Sequence, residues 1–429
     1  MCIVFVAALS ECSTPHSLSK RNPYLPYARR IAEVLGCTGS SRPTEGGNYT
    51  LTWEAKVKIF RLVKESIRRK IASCFPAGFS FADVSTAVPL TSVSDDMLSL
   101  IVIENNTVYS VAKGPNFTQS KSHRRSREDT LMSIFRELER DDPFSASLYQ
   151  QILTTENSLF RVAFAFYVGD GYLEADAGRY SIDHSFESPN SQEWVSHAKS
   201  FDDDESLLYQ GPILTPTACR GSCQFAIPVF GGTPTHTYDI MSYAKYIATV
   251  KRKRGVVPWG ARKSIAVFRG VPNSARTATS DHPRDKVIEL TKKHPTLIDA
   301  YATRGSRGGK SLSLGEQENY KYQISVGKVK EWADRSARIM HSGSIMLLHE
   351  NRPHCGEWWE NYLLDKVNVV YFKDDVSNLP SVVNWLKTHD EEAQEILECQ
   401  HRFAEALLQT SSHIDYLNIL LYELGRVQY

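Results

Sequence analysis

The sequence predicts an α/β protein made of two doubly wound units, with largely parallel sheets facing a cleft. Three observations carry that prediction. Short apolar, β-branched runs alternate with segments of helical periodicity. The alternation runs as two series along 429 residues, enough chain for two large units. The composition, 41% hydrophobic and 23% charged, suits a chain that buries a core without staples, which excludes a disordered chain, a collagen-like fibre and a disulfide-dense mini-domain.

Residues 13–50 are rich in Ser, Pro, Thr and Gly around one helical stretch, Tyr27 to Leu35, and read as a leader or wrapping segment. Trp53 to Ala72 sets apolar residues at helical spacing against Lys and Arg, the pattern of a surface helix. Leu98 to Ile103 and Val108 to Ala112 flank Glu104-Asn-Asn-Thr107 and predict a hairpin. Arg124, Arg125 and Arg127 open a helix over Glu128 to Glu139 and read as a solvated face. Strands follow at Phe160 to Val168, Gln224 to Val229, Ser264 to Phe268, Tyr322 to Val326, Ser344 to Leu348 and Val367 to Phe372. Helical patterns lie between and after them, at Asp239 to Val250, Arg284 to Lys293, Glu331 to Met340, Trp358 to Leu364, Ser377 to Lys387 and Glu391 to Leu408.

Lys+Arg 50 against Asp+Glu 49 leaves a net charge of +1, so no global field draws the chain to nucleic acid or anionic lipid. Anion binding must come from a local site. No run of about 18 apolar residues occurs, so no membrane span is expected. Cys2 to Leu9 is apolar but short, and reads equally as the tail of a signal segment or as a buried strand. The eight cysteines contain no CxxC pair; Cys219 and Cys223, four apart, read as structural, with disulfides as one option. Sequons at Asn48, Asn105 and Asn116 favour a secretory lumen.

Several motifs resemble chemistry without meeting its requirements. Gly305 to Ser311 looks like a phosphate loop, but the position that needs the first Gly is Arg304, and His294 to Thr303 shows no clean apolar strand to feed it. A nucleotide triphosphatase built on that loop is therefore a minor reading, tested by ATP hydrolysis in Lys310→Ala. Asp202-Asp203-Asp204-Glu205 has the carboxylates to hold Mn²⁺ or Mg²⁺, but it lies between polar stretches and reads as a solvated acidic loop. Lys251 to Arg254 suits the carboxyl end of a helix better than a nucleic-acid patch. Neither Gly-x-Ser-x-Gly nor His-Glu-x-x-His occurs.

The most informative stretch is Pro258-Trp259-Gly-Ala-Arg262-Lys263-Ser-Ile-Ala-Val-Phe268-Arg269-Gly270. A strand ends, an Arg follows, and a Gly admits close backbone approach. Asn273, Ser274, Arg276 and Thr277 then add polar donors. The carboxyl end of a parallel strand is where α/β sheets bind ligands, and an Arg there suits a diphosphate.

This segment resembles the Trp/Phe-Arg-Gly signature of the CAP10-like glycosyltransferases, glycosyltransferase family 90. Tyr320-Lys321-Tyr322 is similar to the family's Lys-Tyr strand entry, and Arg335 stands ahead of Gly343-Ser344 as the family's Arg stands ahead of its Gly-Ser strand. Glu357-Trp358-Trp359 and the stretch from Lys373 to Ala393 continue the likeness, and Phe166 to Asp170 resembles the strand-Asp element upstream. It is specific from about Pro258 to Phe403 and looser from Phe160.

The resemblance implies a GT-B-like fold, two Rossmann-like domains with parallel sheets facing a cleft. It divides the chain into a leader at 1–50, an acceptor-side domain at 51–245, a nucleotide-sugar-binding domain at 246–400, and a final helix at 401–429 that packs back on the first domain. It implies inverting transfer of glucose or xylose from a UDP-sugar to a protein Ser or a glycan hydroxyl, in the secretory lumen, with no cofactor and no obligatory metal. Asp170 is the expected base, with Asp176 or Glu174 as alternatives because Asp170 is followed by Gly171. The expected donor-binding residues are Arg269, Gly270, Ser274, Arg276, Thr277, Arg335, Gly343 and Ser344. The competing reading is a non-catalytic relative that binds a sugar nucleotide, a glycan or a client protein.

Overall fold

Two five-stranded sheets carry the fold. The computed structural model describes residues 22–38, 51–79, 98–104, 107–113, 161–167, 175–176, 179–180, 212–220, 222–228, 240–271, 282–303, 311–327, 335–350 and 355–429. The first sheet comprises β1 (Leu98–Glu104), β2 (Thr107–Lys113), β3 (Arg161–Tyr167), β4 (Ile213–Thr215) and β5 (Gln224–Ala226), in the order β2-β1-β3-β4-β5. It is mixed, less parallel than the largely parallel sheets expected, and it contains the predicted hairpin. Glu104 pairs with Thr107 across the two residues Asn105 and Asn106, and a connection that short can join only antiparallel strands. β1 also runs antiparallel to β3, whereas β3, β4 and β5 run parallel.

The second sheet comprises β6 (Lys263–Gly270), β7 (Ile298–Ala302), β8 (Tyr320–Ser325), β9 (Ile345–His349) and β10 (Val370–Phe372). Its order is β7-β6-β8-β9-β10 and every pair is parallel. Taken along the chain, that is the order 2-1-3-4-5 of a doubly wound sheet, with its switch point between β6 and β8. The central β8 and β9 are buried throughout; β9 is an apolar run, whereas β8 carries Lys321, Gln323 and Ser325 among its buried residues. The edge strand β7 buries only Ile298, Ala300 and Ala302, and this alternation is why no strand is legible before Gly305. One ground for dismissing the phosphate loop therefore falls; the misplaced first Gly stands, and residues 304–310 lie outside the described residues.

The helices are α1 (Leu25–Val34), α2 (Trp53–Cys74), α3 (Ile240–Arg254), α4 (Pro283–Lys293), α5 (Leu314–Gln317), α6 (Ser336–His341), α7 (Leu379–Thr388), α8 (Asp390–Leu407) and α9 (Thr410–Gly425). The Thr52 hydroxyl caps α2 by accepting from Ala55 N at 3.2 Å. α2 is the amphipathic helix its pattern predicts, with Lys58, Arg61 and Arg69 exposed on one face and Val57, Phe60, Val63 and Ile67 buried on the other. α9 packs along it and pairs its cations, Lys56 with Asp415 at 2.8 Å and Arg68 with Glu423 at 2.7 Å. Within the expected leader, α1 buries Ala28 and Ile31 in the main core. The helix expected over Glu128 to Glu139 lies outside the described residues.

One core joins α1, α2 and α9 to the buried faces of β1 and β3 and to Trp358, Trp359 and Tyr362. A second joins Phe268, Ile324 and Leu347 of the parallel sheet to Val287 of α4, Val383 of α7 and Ile396 of α8. Disulfides link Cys37 to Cys399, Cys74 to Cys223 and Cys219 to Cys355. The last lies in a two-strand ladder, Ala218–Cys219 against Cys355–Gly356, which follows β4 on one side and β9 on the other. That ladder ties the carboxyl end of the first sheet to the carboxyl end of the second.

Candidate active site

The parallel sheet opens at its switch point. β8 stays paired with β6 only as far as Gln323 and Val267, while β7 follows β6 to Gly270. The Gly270 carbonyl accepts from Thr303 N on the β7 side at 3.0 Å. Carbonyls alternate along a strand, so that of Arg269 faces the gap. Arg335 fills it, donating from Nη1 to the Arg269 carbonyl at 2.8 Å, with its guanidinium carbon 4.8 Å from the Phe268 ring centroid. Gly270 makes room for this: a Cβ there would lie 3.0 Å from Arg335 Nη2 and 2.7 Å from Phe268 Cζ. Arg335 has no strong local signal, and its position ahead of α6 brings it here.

A second arginine spans the same fork. Arg284, near the start of α4, donates from Nε to the Val326 and Gly327 carbonyls at 3.0 Å each, and from Nη1 to the Val271 carbonyl at 3.4 Å. It therefore bridges the chain leaving β6 and the chain leaving β8. Sequence reasoning missed Arg284 because it sits in an ordinary amphipathic helix; the only available signal was its place in the first turn after the strand-Arg-Gly segment. Below the fork, Ser325 and Ser336 share a hydrogen bond at 2.7 Å and are fully buried. At the same edge, His349 Nε2 donates to the Asp374 carbonyl at 2.9 Å.

Arg269 behaves differently from the expectation drawn for it. Its side chain turns back along the sheet and is 5% exposed. Nη1 donates to the Asp299 carbonyl at 2.6 Å and the Phe268 carbonyl at 2.8 Å, and Nη2 pairs with Asp299 Oδ1 at 2.9 Å. The other Asp299 oxygen accepts from the Tyr320 hydroxyl. Burial first, and the Asp299 contact second, push that phenol up to about 12.

Gly343 and Ser344 are not brought to the fork. They precede β9, where Ile345 is level with Tyr322 and Ala266, so they lie about 17–20 Å from Gly270 along the strands. There Arg262 donates to the Gly343 carbonyl and pairs with Glu318 at 3.2 Å, while Gly343 N donates to the same carboxylate at 2.9 Å. Ser344 Oγ donates to the Tyr320 carbonyl at 2.7 Å. Close by, Asp390 accepts from Trp259 Nε1 at 3.0 Å and Lys321 Nζ at 2.6 Å. The segment from Pro258 to Gly270 thus serves two ends of the sheet: Trp259 and Arg262 knot its amino end, while Arg269 and Gly270 frame the fork. Asp170, Glu174, Ser274, Arg276, Thr277 and the run Asp202 to Glu205 lie outside the described residues. Asp176, the alternative base, closes the two-residue strand Ala175–Asp176, which pairs with Arg179–Tyr180.

A sequence model of glycosyl transferase family 90 matches residues 199–429, more than half of the chain. The chain belongs to glycosyl transferase family 90. Among curated relatives, this family 90 chain is 28% identical to human protein O-glucosyltransferase 1 over 184 residues, which cover 39% of the chain and 43% of the relative. It is 24% identical over 189 residues to the O-glucosyltransferase rumi of Drosophila melanogaster, covering 40% and 42%. With protein O-glucosyltransferase 2 of Danio rerio it shares 30% identity over 164 residues, 36% of this chain and 32% of that one. The matches span about a third to two-fifths of these relatives' length. Among the described residues of the family 90 chain, no helix is long and apolar enough to cross a membrane.

Proposed function

We propose that this chain is an inverting glycosyltransferase that moves glucose from UDP-glucose to the hydroxyl of a protein serine. Xylose and a glycan hydroxyl are the alternative sugar and acceptor. The observation that carries this reading is the fork of a family 90 chain at its switch point, where backbone carbonyls orient Arg335 and Arg284. A UDP-sugar leaves as a diphosphate, and its developing charge needs preorganised cations in a partly dry cleft. Arg335 supplies that charge, and Gly270 lets the donor and the arginine approach the backbone. Ser274, Arg276 and Thr277 follow β6 in sequence and complete the donor site. With arginines in this role, a divalent metal is not required.

In the proposed reaction, Asp170 takes the proton of the acceptor hydroxyl as that oxygen bonds to the anomeric carbon. The bond from that carbon to the diphosphate breaks, and UDP departs with inversion. The names of the relatives support glucose and a protein acceptor. The Cys219–Cys355 ladder, joining the carboxyl edges of both sheets, supports a GT-B-like pair of domains facing a common cleft. Three disulfides support an oxidising secretory lumen.

The test is donor binding and turnover across UDP-, GDP- and ADP-sugars, with wild type, Arg335→Ala and Asp170→Asn. Turnover of one UDP-sugar that Asp170→Asn abolishes, with donor binding retained, supports the enzyme. Binding without turnover in the presence of a serine-containing acceptor protein moves the conclusion to a non-catalytic relative. No binding of any sugar nucleotide overturns the reading.

A further inference from the structure

Arg269 stands where a diphosphate ligand is expected, yet its charge is engaged behind the fork. We propose that Arg269, Asp299 and Tyr320 form a brace that fixes the opening of the fork and so positions Arg335, making Arg269 a positioning residue instead of a phosphate ligand. This inference rests on the donor-site reading given above.

Three features carry it. The cluster crosses β7, β6 and β8 on one face of the sheet, with Asp299 level with Val267. Val267 and Gln323 are the last pair before β8 leaves β6, so the brace sits where the fork begins. Both Asp299 oxygens are engaged, one by Arg269 and one by Tyr320, so the carboxylate ties the strands on either side of β6 to each other. The residue whose side chain is braced is also the one whose carbonyl holds Arg335. The Tyr301 ring, centred 5.0 Å from the Arg269 guanidinium carbon, closes the remaining side of the pocket. To reach a diphosphate at the fork, Arg269, itself buried, would have to abandon the half-buried Asp299 carboxylate and swing forward by about two residues of strand, roughly 7 Å.

The two roles predict opposite signs for one substitution. If Arg269 is a brace, Asp299→Asn loosens the fork and weakens UDP binding, by about threefold to thirtyfold. If Arg269 is a phosphate ligand held back by Asp299, removing the carboxylate releases it, and UDP binds equally well or more tightly. Calorimetric titration of UDP and of uridine into wild type, Asp299→Asn, Tyr320→Phe, Arg335→Ala and Asp299→Asn/Arg335→Ala decides between them. The brace predicts that Asp299→Asn and Tyr320→Phe weaken UDP but not uridine, and that the double variant is no weaker than Arg335→Ala alone. Tyr320→Phe removes a single hydroxyl, so it keeps the test open if Asp299→Asn folds poorly. Unchanged or tighter UDP binding in the folded variants overturns the brace. Failure of wild type to bind UDP, or full binding by Arg335→Ala, instead overturns the donor-site reading itself.

Discussion

Arg335 Nη1 donates to the carbonyl of Arg269 across 2.8 Å, so one arginine is aimed by the main chain of another. The carbonyl orients the guanidinium without cancelling its charge. We expect Arg335→Ala to lower turnover by about 10²–10³-fold, the loss typical of a donor that stabilises developing charge. Arg335→Lys should recover little, because an ammonium lacks the planar fork. Steady-state kinetics with a saturating donor read this directly. Wild-type turnover in Arg335→Ala would remove the residue from the mechanism.

Two glycines separate site from scaffold. A Cβ at Gly270 meets Phe268 Cζ at 2.7 Å and Arg335 Nη2 at 3.0 Å, so Gly270→Ala should displace Arg335 and weaken UDP binding. A Cβ at Gly343 would lie 2.2 Å from Arg262 Nη2, in a fully buried network at the opposite end of the sheet. Gly343→Ala should therefore act on folding, lowering stability by about 1–3 kcal/mol or more, with UDP affinity retained by the folded fraction. Thermal melts and UDP titrations of both variants check the contrast.

Burial pulls the Lys70 amine down to about 7. Its Nζ donates to the Gln224 carbonyl and lies 4.8 Å from the Phe225 ring centroid. In the unfolded chain the amine titrates near 10.4, so between about pH 7 and 10.4 the unfolded state binds more protons. Stability therefore rises with pH across that window, and the penalty is fully present below about pH 7. Lys70→Met should stabilise the protein at pH 7 by about 2 kcal/mol, after allowance for the lysine's partial exposure, with a gain that shrinks toward pH 10. Denaturant midpoints at pH 6, 8 and 10 measure it.

Acid should unfold the protein through buried histidines. Burial pulls His413 down to about 3 and His401 to about 4. Trp358 Nε1 donates to His413 Nδ1 at 3.0 Å, so a proton on that nitrogen removes the acceptor. Unfolded histidine titrates near 6.5, so the unfolded state binds more protons from there down to the folded values, and stability falls as pH drops through that window. His413→Asn offers an amide oxygen to Trp358 without a titrating ring. It should lose less stability than wild type between pH 7 and 4.5. An identical slope in both proteins would assign the acid response elsewhere.

The Cys219–Cys355 link closes a loop of 136 residues between the two sheets. Replacing both cysteines by serine should lower stability by about 2–5 kcal/mol. Chemical denaturation under non-reducing conditions reads the difference.

Much of the carboxyl half was legible. β6 and β9 contain apolar runs because a central parallel strand is covered on both faces, and β8 is legible through Tyr322, Ile324 and the adjoining Val326 despite its buried Lys321, Gln323 and Ser325. β7 was missed because an edge strand alternates, and Ile298-Asp299-Ala300-Tyr301 resembles a loop as readily as a strand. β4 was missed because three residues are too few for a period to register. The hairpin legible on either side of Asn105 and Asn106 is present, but the antiparallel pairing of β1 with β3 was not legible, because the paired Glu104 and Arg161 stand 57 residues apart and leave no turn signal between the strands.

The α/β class, the parallel second sheet and the family are readable from residue order, because they follow from local apolar periodicity and from side chains adjacent in the chain. Tertiary structure alone decided which arginine serves the fork. Arg269 carries the recognisable motif, but Asp299, 30 residues on and itself held by Tyr320 of the adjacent β8, draws its guanidinium back along the sheet. Arg335, 66 residues from the motif, takes the open edge instead. A guanidinium goes where its acceptors are, and those acceptors become neighbours only when the strands assemble.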